Sequence, residues 1–261
     1  MNSKYLDIIA YETRNLGITS FALNEVFFES PEQNLLKQDI FAAIQAYNQI
    51  FIQCRLSKQN INLSSIVQNC GFYVVESTLS PYTNLNKNKI IKSFIQNKDN
   101  FIPARYKIDK FNITQININD ACNSREQIQK IAEESFIDDR FHVDPNCTQD
   151  IANKRFSYWV GDLCSDRNVI FECLEYENEK IAFMCRKESN LILAGFNKRY
   201  RNSGLGEFLW LSILENMIQE GIQYARTLIS TNNTSVLNLY ARIGFQFKNP
   251  LFTFHYWHKS E

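Results

Sequence analysis

Apolar and polar positions follow two rhythms in the first part of the chain. "YLDIIAYE" and "ITSFALNE" read as strands around a turn at Asn15 to Gly17, each rich in β-branched and aromatic residues. "LLKQDIFAAIQAYNQI" places its apolar residues at helical spacing, "FIQCRL" reads as a short strand, and "NLSSIVQNC" as a helix closed by Gly71. "FYVVESTLS" is a further strand. Pro81 and the polar stretch "TNLNKNK" end this block, and "SFIQNKDNFIPA" is a connector.

A second block opens on strand "RYKIDKFNIT". A helix is predicted around Ser124 to Ser135, then a loop, "FIDDRFHVDPNC", then a helix from Thr148 to Leu163. On that helix Ala152, Phe156, Trp159, Val160 and Leu163 share one face. Three strands follow, "NVIFECLEY", "KIAFMCRK" and "NLILAGF". Then come a glycine turn, a helix from Gly206 to Gln219, strand "YARTLIS", helix "SVLNLYARI", and the final strands "FQFKN" and "FTFHYWH". The second block therefore reads β-α-α-β-β-β-α-β-α-β-β, an order that few folds use.

Composition narrows the function. The 261 residues carry 28 basic and 28 acidic side chains, so no basic surplus favours a nucleic-acid partner. The apolar fraction of 44% is ordinary for a globular chain, and no apolar run is long enough for a membrane span. Seven scattered cysteines without a C-x-x-C pair argue against a disulfide framework or a zinc site, and no other metal site is expected. The N-terminus lacks a signal-peptide pattern. A cytoplasmic location is the expectation, in which the sequons of "NNTS" carry no glycan.

The chain has only eight glycines, and two of them, Gly204 and Gly206, stand directly before the long apolar helix. A strand, a loop of small residues and a helix N-terminus leave backbone N–H groups converging on one point, with the helix dipole adding positive charge there. Arg199 and Arg201 lie close by. The alternative is a plain turn with basic surface residues.

The run Arg201-Asn202-Ser203-Gly204-Leu205-Gly206 fits the pattern Arg/Gln-x-x-Gly-x-Gly/Ala, and "NNTSVLNLYARIGFQF" follows downstream. In both segments the chain resembles the GNAT N-acetyltransferase superfamily. "DRFHVDP" ahead of "RFSYWV", with "YETRNLGI" and "NCGFYVVESTLS", looks like the branch that acetylates TDP-fucosamine. The resemblance implies an α/β (α+β) GNAT fold: a mixed, mostly antiparallel sheet flanked by helices. It implies a small N-terminal α/β lobe over residues 1–100 and an acetyltransferase domain over 101–261. It further implies acetyl-CoA as co-substrate and direct transfer to the amine of a nucleotide-linked (TDP) aminodeoxy sugar, a small-molecule partner. A monomer or homodimer is expected.

The resemblance assigns the CoA diphosphate to Arg201, Asn202, Ser203, Gly204, Leu205, Gly206 and Glu207, and the oxyanion to backbone N–H groups at Ala194, Gly195 and Phe196. Asn233 either bonds the pantetheine arm or caps the helix that follows. Tyr240 is the candidate catalytic residue, supporting the departing sulfur. A phenol titrates near ~10 and a thiol near ~8.5, so a hydrogen bond that grows in the transition state describes its role better than full proton transfer. "LILAGF" lacks the glutamate that many of these enzymes place there, which leaves the base open. His142 titrates in a suitable range and, with Arg140 and Asp144, is a candidate substrate contact; Asp139 could serve likewise. Phe156, Tyr158 and Trp159 are either core or a base-stacking platform. Cys147 adjoins the loop, but direct transfer needs no nucleophile. Two other readings remain: an enzyme acting on protein, peptide or polyamine amines, and a CoA-binding protein without catalysis.

Overall fold

The structure, a computed structural model, describes residues 3–116, 122–135 and 139–259. Its first block comprises β1 (Leu6–Ile8), α1 (Ala10–Leu16), β2 (Thr19–Leu23), α2 (Glu25–Glu29), α3 (Gln33–Tyr47), β3 (Ile50–Ser57), α4 (Ser64–Asn69), β4 (Tyr73–Asn84) and α5 (Lys89–Gln96). There follow β5 (Phe111–Ile116), α6 (Cys122–Ser135), α7 (Gln149–Ser165), β6 (Ile170–Tyr176), β7 (Glu179–Lys187), β8 (Asn190–Phe196) and α8 (Gly206–Gln219). The chain ends with β9 (Tyr224–Arg226), β10 (Ile229–Ser230), α9 (Thr234–Arg242) and β11 (Gln246–His258). Residues 136–138 of the predicted substrate loop lie outside the described residues.

The described strands form one sheet in the order β1-β2-β3-β11-β4-β9-β8-β7-β6-β5, with β10 beside β4. Only β2–β3 and β8–β9 are parallel; every other pairing is antiparallel. The two sequence blocks share this sheet, because the C-terminal strand β11 lies between β3 and β4 of the first block.

Strand β7 shows how burial reads in the sequence. Ile181 to Arg186 are all buried. Ala182 and Met184 pack in the cluster around α8, whereas Phe183 and Cys185 pack against α6 and α7 on the opposite face. A strand covered on both sides needs no polar alternation, hence the unbroken "IAFMC". Helix α8 is buried over Phe208 to Leu214 and again at Met217, which accounts for its almost uniformly apolar sequence. The first block has its own cluster, built on Tyr5, Phe27, Leu36, Ile40 and Ile52. Among the described residues no helix is long and apolar enough to cross a membrane, and no group of three or more His, Cys, Asp or Glu could hold a metal ion.

Several elements depart from the expected pattern, among them the expected connector from Ser93, whose first residues belong to helix α5. The stretch predicted as strand Tyr5 to Glu12 is a three-residue strand followed by helix α1, which Gly17 closes at φ +70°. The buried positions of α1 are Glu12, Asn15 and Leu16, so its helical spacing is carried mainly by polar residues. Strand β4 continues through Pro81 to Asn84. The predicted strand "YARTLIS" is divided into β9 and β10. The last two predicted strands are one, β11, interrupted by a bulge between Lys248 and Leu251 that contains Pro250 and Asn249, whose φ is +49°.

Candidate functional site

Strand β8 meets β9 at a single register pair, Asn190 with Arg226. Beyond Arg226 the chain turns to pair with β4 instead, Ile229 opposite Leu79 and Ser230 opposite Thr78. Two parallel neighbours thus part company after one contact. The wedge between them is lined by Leu191 to Ala194 on one side, Thr227 to Ser230 on the other, and Tyr240 and Asn233 of the α9 segment. Its volume is about 250 Å³.

The turn ahead of α8 has a distinctive backbone. Asn202 and Gly204 both have left-handed backbones, with φ of +57° and +82°. A Cβ at Gly204 would lie 2.9 Å from the Pro103 ring, and one at Gly206 would press on Leu239 at 3.4 Å. Helix α8 has no side-chain N-cap, which leaves its dipole and first amides to an external partner. Arg105 braces the turn by donating to the Ser203 carbonyl, and Arg201 ties it back to β8 by donating to the Phe196 carbonyl at 3.3 Å. Glu207 pairs with Arg242 at 2.6 Å, and Arg199 sits in solvent 3.7 Å from Glu179.

Ala194 lines the wedge while Gly195 faces α6, where an added Cβ would meet the Ser135 hydroxyl at 2.9 Å. Phe196 pairs with Ala182 on β7. Asn233 caps α9 by accepting from the Val236 amide at 3.2 Å, and it also lines the wedge, so its amide nitrogen stays free for a second role. Tyr240 is buried, edge-on to Trp210 at 6.1 Å between ring centres. Burial pushes its pKa up to about 12, against the opposing pull of the Trp210 and Thr227 side chains. Thr78 Oγ1 and Arg140 Nη1 are buried without a hydrogen-bond partner, and both residues line this cavity. Splayed strands, an uncapped helix and unpartnered donors fit an acyl-CoA arm.

The opposite wall comes from elsewhere in the chain. Arg55 of β3, Glu76 and Thr78 of β4, Asp139, Arg140, and Arg155, Phe156 and Trp159 of α7 complete the lining. Burial raises the Glu76 pKa above the usual carboxylate range; Arg140, the Ser230 hydroxyl and Arg55 pull against it. Glu12 of α1 lies behind this wall. It accepts from Arg155 Nε at 2.6 Å and from Arg140 Nη2 at 3.2 Å. Burial among other cations lowers the Arg140 pKa to about 10, with Arg155 and Arg55 adding to the effect and Glu12 and Glu76 opposing it.

His142 and Asp144, predicted beside Arg140, stand outside the cavity lining. The two nitrogens of His142 bond Asp139 and the Asn153 amide oxygen. Asp144 accepts from Tyr73 at 2.6 Å, from Trp257 at 2.8 Å and from the His255 ring, at 2.6 Å, and so anchors β11 to the loop. Of the aromatic stripe, Phe156 is buried and Trp159 partly so, both lining the cavity, and Tyr158 is exposed beneath Arg14. Cys147 is buried and its thiol pKa is raised to about 12 by burial, far from a nucleophile's range. Sequence reasoning missed Arg55, Glu76, Arg155 and Glu12. The one available signal was a glutamate in the otherwise apolar and hydroxylic "FYVVESTLS".

The sheet order, the wedge between parallel strands and the glycine turn opening a buried helix define the GNAT acyltransferase fold. Solved structures agree. A GCN5-related N-acetyltransferase from Sphaerobacter thermophilus superposes with a TM-score of 0.61 at 12% identity, covering 97% of this chain and 76% of that one. A tandem GNAT protein from the clavulanic acid biosynthesis pathway gives 0.59 at 8% identity, covering 91% and 75%. Among curated proteins the chain is similar to the spore coat polysaccharide biosynthesis protein SpsD of Bacillus subtilis, 24% identical over 148 residues. That similarity spans 52% of this chain and 48% of the relative, about half of each. No family model matches the chain.

Proposed function

We propose that this chain is an N-acetyltransferase that takes its acyl group from acetyl-CoA and delivers it to the amine of a nucleotide-linked (TDP) aminodeoxy sugar. The observation that carries the reading is the placement of Tyr240 and Glu76 in one cavity, at the point where β8 and β9 separate. Acetyl-CoA supplies an activated thioester. The turn Arg201 to Gly206, with the first amides of α8 at Gly206 and Glu207, holds its diphosphate, and Asn233 and the β8 backbone at Ala194 to Phe196 hold the arm and the carbonyl oxygen.

An amine attacks only in its neutral form, so an ammonium must first lose a proton. Glu76 is placed to accept it, and its raised pKa brings it closer to that task than an exposed carboxylate. On the other side Tyr240 Oη holds a proton. With its pKa at about 12 and a thiol's near ~8.5, complete transfer costs about 5 kcal/mol. Tyr240 therefore supports the sulfur through a hydrogen bond rather than by giving up its proton.

The acceptor reading draws on two supports. The cavity, lined by arginine as well as carboxylate, suits a small molecule that carries both charges. The distant relative SpsD, a spore coat polysaccharide biosynthesis protein, points to sugar chemistry. The test is acetyl-CoA turnover over a panel of amines, read by mass. A TDP-linked amino sugar should gain one acetyl group faster than peptides or polyamines. Replacing Tyr240 with Phe should lower turnover ~10²- to 10⁴-fold with little change in CoA affinity. Near-normal turnover in that variant would remove the role assigned to the phenol.

A further inference from the structure

A second chamber adjoins the first. Its volume is about 580 Å³, and it shares Arg55, Arg140, Arg155 and Trp159 with the wall of the inner cavity. Glu76, Asp139 and Tyr240 line the inner chamber only; Tyr11 of α1 lines the outer one only. The two chambers thus differ in the side chains that are theirs alone. Carboxylates stand beside the phenol, and guanidinium groups stand at the passage between the chambers.

In direct ion pairs the three arginines share a single carboxylate, while Glu76 and Asp139 face them across the inner cavity. Arg140 and Arg155 share one carboxylate, that of Glu12, which faces them from α1. Arg140 is 5% exposed and lines both chambers, and its buried Nη1 has no hydrogen-bond partner. Arg55 makes no ion pair within 4.0 Å among the described residues. The outer chamber's own acids, Asp162 and Asp166, are taken up by Arg14 and Lys187. A buried guanidinium with an unused N–H is costly unless a ligand accepts from it.

We infer that the outer chamber is a subsite for the nucleoside diphosphate half of the acceptor, with Arg55, Arg140 and Arg155 on its phosphates and Trp159 and Tyr11 beside its base. This rests on the proposed acetyltransferase reading and gives it a division of labour. The ammonium end enters the carboxylate chamber next to Tyr240, and the phosphate end stays among the arginines. Planar guanidinium forks match paired phosphate oxygens, and aromatic faces accept any base. The molecule selected is one that carries an amine and a diphosphate at opposite ends.

Calorimetry with thymidine diphosphate as the probe tests this without requiring turnover. CoA is held saturating, so that the diphosphate pocket at α8 cannot capture the probe. The wild-type protein should bind it, Arg55→Gln should bind about ten- to a hundredfold more weakly, and Tyr240→Phe should bind as the wild type does. Arg55 is exposed and without an ion pair, so this variant is expected to fold. Failure of the wild type to bind, equal binding by Arg55→Gln, or loss of binding in Tyr240→Phe would each overturn the subsite. Acetyl transfer to unphosphorylated amines with no thymidine diphosphate binding would sink the subsite and leave the acetyltransferase standing. Binding that depends on Arg55 without acetyl transfer to any amine would do the reverse.

Discussion

The two walls of the cavity are assembled differently. The wall holding Tyr240 comes from a single stretch, Leu191 to Tyr240, in which strand, glycine turn, buried helix and capped helix follow one another in chain order. The facing wall draws Arg55 from β3, Glu76 from β4, Asp139 and Arg140 from a loop and Arg155 from α7, with Glu12 behind them. The distinctive features of the first wall belong to the backbone: a left-handed Gly204, an uncapped helix and two strands that part. Those of the second are side-chain charges, and Arg140 and Arg155 depend on Glu12, distant in sequence. A surface built from backbone tolerates many side-chain changes, whereas one built from buried charges fails when a single partner is lost.

The sharpest way to break this contrast is Glu12→Ala. It leaves Arg140 and Arg155 buried without a carboxylate, and loss of one partner of a buried pair costs about 3–5 kcal/mol. Chemical denaturation should show a loss of that size; one under about 1 kcal/mol would mean that the charged wall does not depend on its hidden carboxylate.

A second effect should appear in the chemistry. Glu76→Gln is expected to lower kcat ~10²-fold. In the wild type, burial raises the Glu76 pKa, and the base works only when deprotonated. Activity is therefore present at higher pH and lost as pH falls through the raised value, so the acidic limb of kcat/KM should lie above the ordinary ~4.3 of glutamate. That limb should vanish in the variant. A limb that stays in place assigns the proton to another group.

The smallest effect belongs to the backbone-built wall. Arg242 pairs with Glu207 in the first turn of α8, but its side chain is 58% exposed. Arg242→Ala should change unfolding free energy by no more than ~0.5 kcal/mol and leave CoA affinity nearly intact. A large loss of CoA binding would show that side-chain charge matters on this wall too.

The legibility of the chain follows the same division. Strands β6 to β8 and helix α8 were readable because their periodicity and their glycines are local. The turn at Gly204 could be recognised because a left-handed backbone restricts residue choice at neighbouring positions. Helix α1 was misread because two of its three buried positions are Glu12 and Asn15, and polar residues do not register as a core face. His142 and Asp144 looked like substrate contacts because of their residue types and loop. The fold uses them to fasten that loop to Asn153 and to β11 instead.

The sequence alone determined β6 to β8, helix α8 and the glycine turn between them, because backbone preference and hydrophobic period act over a few residues. Which side chains face Tyr240 was decided only when β11 slid between β3 and β4 and brought distant strands against α7. Burial then gave Glu76 its raised pKa and left Arg140 with an unused N–H, and burial belongs to the packed molecule rather than to any segment of it.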